Sequence, residues 1–99
     1  MTLRLVVRPL AEQDLIETQS WYDEQRPGLG DEFRLTVDRL MGRILERPQL
    51  YPEVYRGVRR AVMRRFPYLL YYVVTNDAVV LLACLHGKRD PALLSSRIP

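Results

Sequence analysis

The sequence predicts an α+β fold of order β-α-α-β-β-β, a small twisted antiparallel sheet with an N-terminal α-hairpin packed on one face. Three observations lead there. A short β-branched segment opens the chain, two amphipathic helical patterns follow around a Pro-Gly break, and the pattern turns to β from Gly57 onward. Ninety-nine residues with 47% apolar content suit one domain spanning 1–99, enough to bury a modest core.

The elements follow in order. Leu3 to Val7 reads as a strand closed by Arg8-Pro9. Pro9 suits the first position of a helix, and Glu12 and Asp14 favour its opening turns electrostatically. Ala11, Leu15, Thr18 and Tyr22 form its buried stripe, with Ile16 and Trp21 beside it. The helix ends before Arg26-Pro27-Gly28, since proline disfavours a helical predecessor. A second helix runs from Asp31 to Arg47, with Phe33, Val37, Leu40, Met41, Ile44 and Leu45 on one stripe. Pro48 stops it. After a connection from Pro48 to Tyr55, strands are expected at Val58–Met63, Tyr68–Thr75 and Ala78–Leu85, and the tail to Pro99 as about one helical turn.

Composition narrows the function classes. One cysteine, Cys84, lies in an apolar run and reads as an inert buried thiol of a reducing compartment. One Cys and one His assemble no zinc-finger site, so no metal or cofactor is expected. The N-terminal apolar stretch is broken by Arg4, and no run approaches a membrane span, so a cytoplasmic protein without membrane contact is expected. No Walker-type loop, dinucleotide fingerprint or carboxylate pair with catalytic spacing occurs. Charge is unevenly placed. Residues 1–55 hold seven arginines against ten carboxylates, net −3; residues 56–99 hold eight basic groups against Asp77 and Asp90, net +6. The basic half points either to an anionic partner or to a solvated sheet face balancing the acidic helices.

Several short motifs, in this order, resemble the ParE/RelE toxin superfamily. They are Tyr22, the Gly28-Leu29-Gly30-Asp31-Glu32-Phe33 run, Pro48 with Tyr51-Pro52, Arg59-Arg60, Arg65-Phe66-Pro67-Tyr68, Tyr71-Tyr72 and Leu85-His86-Gly87-Lys88-Arg89-Asp90-Pro91. The resemblance spans nearly the whole chain. It implies the toxin of a type II toxin–antitoxin system of plasmid-stabilisation type, bound by a cognate antitoxin whose C-terminal segment wraps around it. A homodimer or a hetero-oligomer with the antitoxin is expected, and a free toxin that self-associates through uncovered apolar grooves.

Two biochemistries occur in that superfamily. RelE-like members cleave mRNA on the ribosome, and ParE-like members act on DNA gyrase. Measured against the RelE-like pattern, Arg60 and Arg89 are basic where basic groups are expected. Val62 stands in place of a lysine, Leu69 in place of an arginine, and Ser95 near the place of a catalytic tyrosine. The resemblance is therefore closer to ParE, and it implies gyrase inhibition by protein–protein contact. The alternatives are a ribosome-dependent mRNA endonuclease, with Arg60, His86 and Arg89 as candidate catalytic residues, and a non-toxic relic that binds antitoxin only. His86 would serve as base and Arg89 as phosphate ligand. The packing role is the more common one for a lone histidine.

A partner surface is expected from Arg59, Arg64, Arg65, Tyr72, Lys88 and Arg97. Period-two alternation places Arg60, Val62 and Arg64 on one face of their strand, and Arg59, Ala61, Met63 and Arg65 on the other. The Arg56–Arg65 cluster fits a phosphate backbone or an acidic protein surface, arginine stems covering the sheet, or binding to the antitoxin, the reading that the family resemblance favours. Tyr68, Tyr71 and Tyr72 fit base stacking less well than cross-strand packing, and Trp21 and Tyr22 read as helix-to-sheet packing.

Overall fold

The computed structural model describes residues 3–98. Met1, Thr2 and Pro99, the last of which ends the predicted helical tail, lie outside the described residues. The elements are β1 (Arg4–Val7), α1 (Pro9–Gln25), α2 (Leu29–Glu46), β2 (Glu53–Tyr55), β3 (Val58–Val62), β4 (Tyr68–Val74) and β5 (Ala78–His86). Short 3₁₀ turns occupy Pro48–Leu50 and Pro91–Ser96.

Pro9 opens α1 behind an extended Arg8, with Glu12 in the first turn. Ala11, Leu15, Thr18 and Tyr22 are its buried residues. Ile16 and Trp21 are not part of that face: they are 56% and 52% exposed, and the Trp21 ring meets Tyr22 edge-on at 5.1 Å. Trp21 is thus corrected from a helix-to-sheet packing residue to a surface one. Gly28, at φ 89°, turns the chain into α2 two residues earlier than the sequence suggested.

Gly30 sets how closely the two helices approach. Its amide donates to Asp23 Oδ1 at 2.8 Å, and a Cβ there would meet the Gln19 carbonyl oxygen and, at 2.7 Å, the Asp23 carboxylate. Gly30→Ala must therefore push α1 and α2 apart, and it is expected to cost about 2 kcal/mol. Thermal melting checks this; an unchanged midpoint would show that the hairpin yields without strain.

The sheet order is β1-β5-β4-β3-β2, with β1 parallel to β5 and every other pair antiparallel. Two differences from the expected sheet share one cause. The sequence reading missed β2, three exposed residues behind Pro52 that show no alternation. Each connection reverses the chain, so one further strand makes β5 run with β1 rather than against it. The sheet is mixed for that reason, not wholly antiparallel. Arg56 and Gly57, at φ 41° and 81°, close the β2–β3 hairpin with both central residues left-handed, as a two-residue type I′ turn needs.

Both sheet faces carry a core. Toward the helices, Leu15, Phe33, Val37, Leu40, Ile44, Ala61, Leu70, Tyr72, Leu81 and Cys84 pack together. Tyr22, Phe33, Phe66 and Tyr68 meet there mostly edge-on, with centroids 4.9–6.1 Å apart. On the far face Val58, Tyr71, Leu82, Ala83 and Leu85 pack under Leu94 of the second 3₁₀ turn. Leu82 and Ala83 share that face because β5 bulges there: Tyr72 pairs with Leu81 while Tyr71 pairs with Ala83. Among the described residues no helix is long and apolar enough to cross a membrane.

Candidate partner-binding surface

β3 alternates as its sequence indicates. Ala61 and Met63 lie on the helix side, and Arg60, paired with Tyr71, lies on the far side. His86 pairs with Tyr68 at the end of β5, on the helix side, and their rings meet at 5.2 Å. The candidate nuclease residues are therefore divided. His86 and Arg89 line a cleft of about 240 Å³ beside Glu17 and Trp21, while Arg60 lines a different groove across the sheet. One phosphate cannot be met by Arg60 and His86 together. His86 Nδ1 accepts the Lys88 backbone N–H at 3.0 Å, so the imidazole braces the turn that follows β5.

The expected partner residues divide as well. Arg59 donates to the Tyr51 carbonyl at 2.7 Å and the Gln49 carbonyl at 3.3 Å, tying down the first 3₁₀ turn. Arg65 pairs with Glu32 at 2.8 Å and lies over the Phe66 ring. Arg65 and Arg26 together hold the Glu32 carboxyl below its usual range, chiefly through the hydrogen bond from Arg65. Arg97 is clasped by Asp14, at 3.2 Å through its second oxygen, and also donates to the Leu82 carbonyl at 3.3 Å. Tyr72 is fully buried, and its hydroxyl donates to the Pro48 carbonyl at 2.5 Å. Burial pushes that hydroxyl up to about 12. Tyr72 offers no surface to a partner, a correction to its expected role, and Arg97 is largely occupied inside the fold. Arg64 and Lys88 remain exposed and make no ion pair among the described residues.

These exposed cations gather at one end of the sheet. Gly87 donates its amide to the Pro67 carbonyl at 2.8 Å, bringing the turn after β5 against the β3–β4 connection. Arg64 and Arg65 thus share that end with Lys88 and Arg89. Behind it, Arg43 and Arg64 flank a cleft with Leu40, Tyr51 and Val62. Such an assembly attracts an acidic surface or a phosphate backbone.

Two features were missed by the sequence reading. Asp14 seemed only a favourable charge near a helix start, yet its Oδ2 also accepts the Cys84 backbone N–H at 3.0 Å, at the β5 bulge. Cys84 is buried as expected; burial, aided by Asp14, pushes its thiol up to about 12 and leaves it inert. The second feature is a far-side groove of about 590 Å³, walled by Val54 and Tyr55 of β2, Tyr71, and Pro91, Ala92 and Leu94 of the C-terminal turn. The sequence indicated only that the tail makes about one helical turn, which is the Pro91–Ser96 wall.

Residues 5–91 match the family model described as the ParE toxin of the type II toxin–antitoxin system parDE. Toxin ParE2 of Mycobacterium tuberculosis, in strains CDC 1551 / Oshkosh and ATCC 25618 / H37Rv, is 32% identical over 99 residues, 99% of this chain and 94% of that protein. The fold is similar to a chain of the chromosomal ParDE TA system from P. aeruginosa, with TM-score 0.77 at 16% identity, over 86% of this chain and 96% of that one.

Proposed function

Since the chain belongs to the ParE toxin family of type II toxin–antitoxin systems, we propose that it acts in the cytoplasm by binding DNA gyrase, and that a cognate antitoxin neutralises it. The observation that carries this reading is the division of Arg60 from His86 across the sheet, beside an exposed cluster of cations at one sheet end. Hydrolysis of RNA needs base, acid and phosphate ligand around one reacting atom. Protein contact needs only a surface. Arg64, Lys88 and Arg89 form the charged part of that surface and would meet carboxylates of the partner. Both the chromosomal ParDE neighbour and the curated ParE2 relatives are consistent with an antitoxin partner.

Purified protein mixed with gyrase and relaxed plasmid should block supercoiling or accumulate cleaved DNA. Combined alanines at Arg64, Lys88 and Arg89 should weaken that effect at least tenfold, while alanines at Arg60 and His86 should leave it intact. Gyrase working at full rate beside a folded, growth-arresting toxin would remove the reading.

A further inference from the structure

We propose that the far-side groove seats an aliphatic segment of the antitoxin carrying one carboxylate, and that Arg60 is the residue that receives that carboxylate. The proposal rests on the antitoxin reading above and names the site and chemistry of that contact. It also gives Arg60 a role other than nuclease candidate.

The groove has the shape for a peptide. Its walls are aliphatic and aromatic, from Val54, Tyr55, Tyr71 and Leu94, and both Val54 and Tyr55 remain more than a third exposed. Its floor holds one formal charge, Arg60, which makes no ion pair among the described residues. The Arg60 Nε is shielded from solvent and has no hydrogen-bond partner among the described residues. A buried donor left unmatched raises the free energy of the state that contains it. Turning the guanidinium outward onto a carboxylate in the groove would relieve that cost and give a forked, two-point contact that lysine cannot copy.

Charge selects the occupant. Residues 56–99 carry net +6, and the β3 and C-terminal walls of the groove come from that half. An acidic, aliphatic segment is therefore matched in both respects, whereas a wholly apolar segment would bury Arg60 unpaired, and a basic one would be repelled. The C-terminal 3₁₀ turn forms one wall, and it is held in place. Asp90 caps it by accepting the Ala92 amide at 2.9 Å, and Leu94 anchors it in the far-side core.

The test measures affinity of the full chain for its purified cognate antitoxin. Arg60→Gln should weaken binding on the order of 30-fold or more, and Arg60→Lys should recover only part of it. Ala92→Trp, at an exposed position on the rim, should also weaken binding by filling the groove, and it decides the matter if Arg60→Gln does not fold. Scanning the antitoxin with Asp→Asn and Glu→Gln should find one carboxylate whose loss adds nothing in the Arg60→Gln background. Wild-type affinity in both Arg60→Gln and Ala92→Trp overturns the groove assignment but leaves the antitoxin reading standing. Absence of any complex with the wild-type chain overturns both. Loss of growth arrest with unchanged antitoxin affinity would give the groove to the toxic target and overturn the assignment.

Discussion

Asp14→Ala is expected to destabilise the protein by about 3 kcal/mol. Asp14 does two jobs from one carboxylate. It clasps Arg97 across 83 positions of sequence, with both side chains only 15% exposed, and it accepts the Cys84 amide at the β5 bulge. Removing it leaves a largely buried guanidinium unpaired and a strand amide unmatched. At roughly 4–8 °C per kcal/mol for a chain of this size, the melting point should fall by more than about 10 °C. Asp14→Asn keeps an acceptor but loses the charge, so it should fall in between. Because Arg97 latches the C-terminal turn, limited trypsin digestion of Asp14→Ala should cut first near Arg89 and Arg97. A melting point equal to wild type would mean that the ion pair is formed no better than its solvated parts.

Tyr72→Ala should cost about 3–5 kcal/mol and deplete the folded toxin, without a specific effect on partner affinity. Tyr72 is the largest of the fully buried side chains, packed against the helices, with Tyr51 edge-on at 6.4 Å. Its hydroxyl also fixes the Pro48 carbonyl, just beyond the end of α2. Tyr72→Phe isolates that bond and should cost about 1 kcal/mol. Denaturant unfolding separates the alternatives. Should Tyr72→Ala keep wild-type stability but bind its antitoxin weakly, the tyrosine would be a contact residue after all.

The sequence was informative where a periodic pattern met a punctuating residue. The stripe Ala11, Leu15, Thr18, Tyr22 behind Pro9, and the stripe from Phe33 to Ile44 before Pro48, give the helical hairpin. The apolar run Val79 to Leu85 gives the central strand. β2 was hidden because its three residues, all exposed, show no inside–outside alternation, and with it went the parallel pairing of β1. The site was much less legible. An arginine reads the same in sequence whether it faces a partner or clasps Asp14, and only tertiary distance separates Arg64 from Arg97. Alternation did place Arg60 opposite Ala61, but it could not show that His86 lies on the other face, since the Leu82 bulge shifts the phase of β5. The groove was invisible for a related reason. Its walls come from β2, β3, β4 and the C-terminal turn, segments far apart in sequence.

The most direct test is pulse labelling of bacteria after tightly controlled induction, with thymidine and methionine incorporation followed separately. Gyrase poisoning predicts that DNA synthesis fails first, with a DNA-damage response, and that His86→Ala and Arg60→Ala toxins behave as wild type. Translation failing first, and surviving DNA synthesis, would contradict it and would return Arg60, His86 and Arg89 to consideration as a nuclease site.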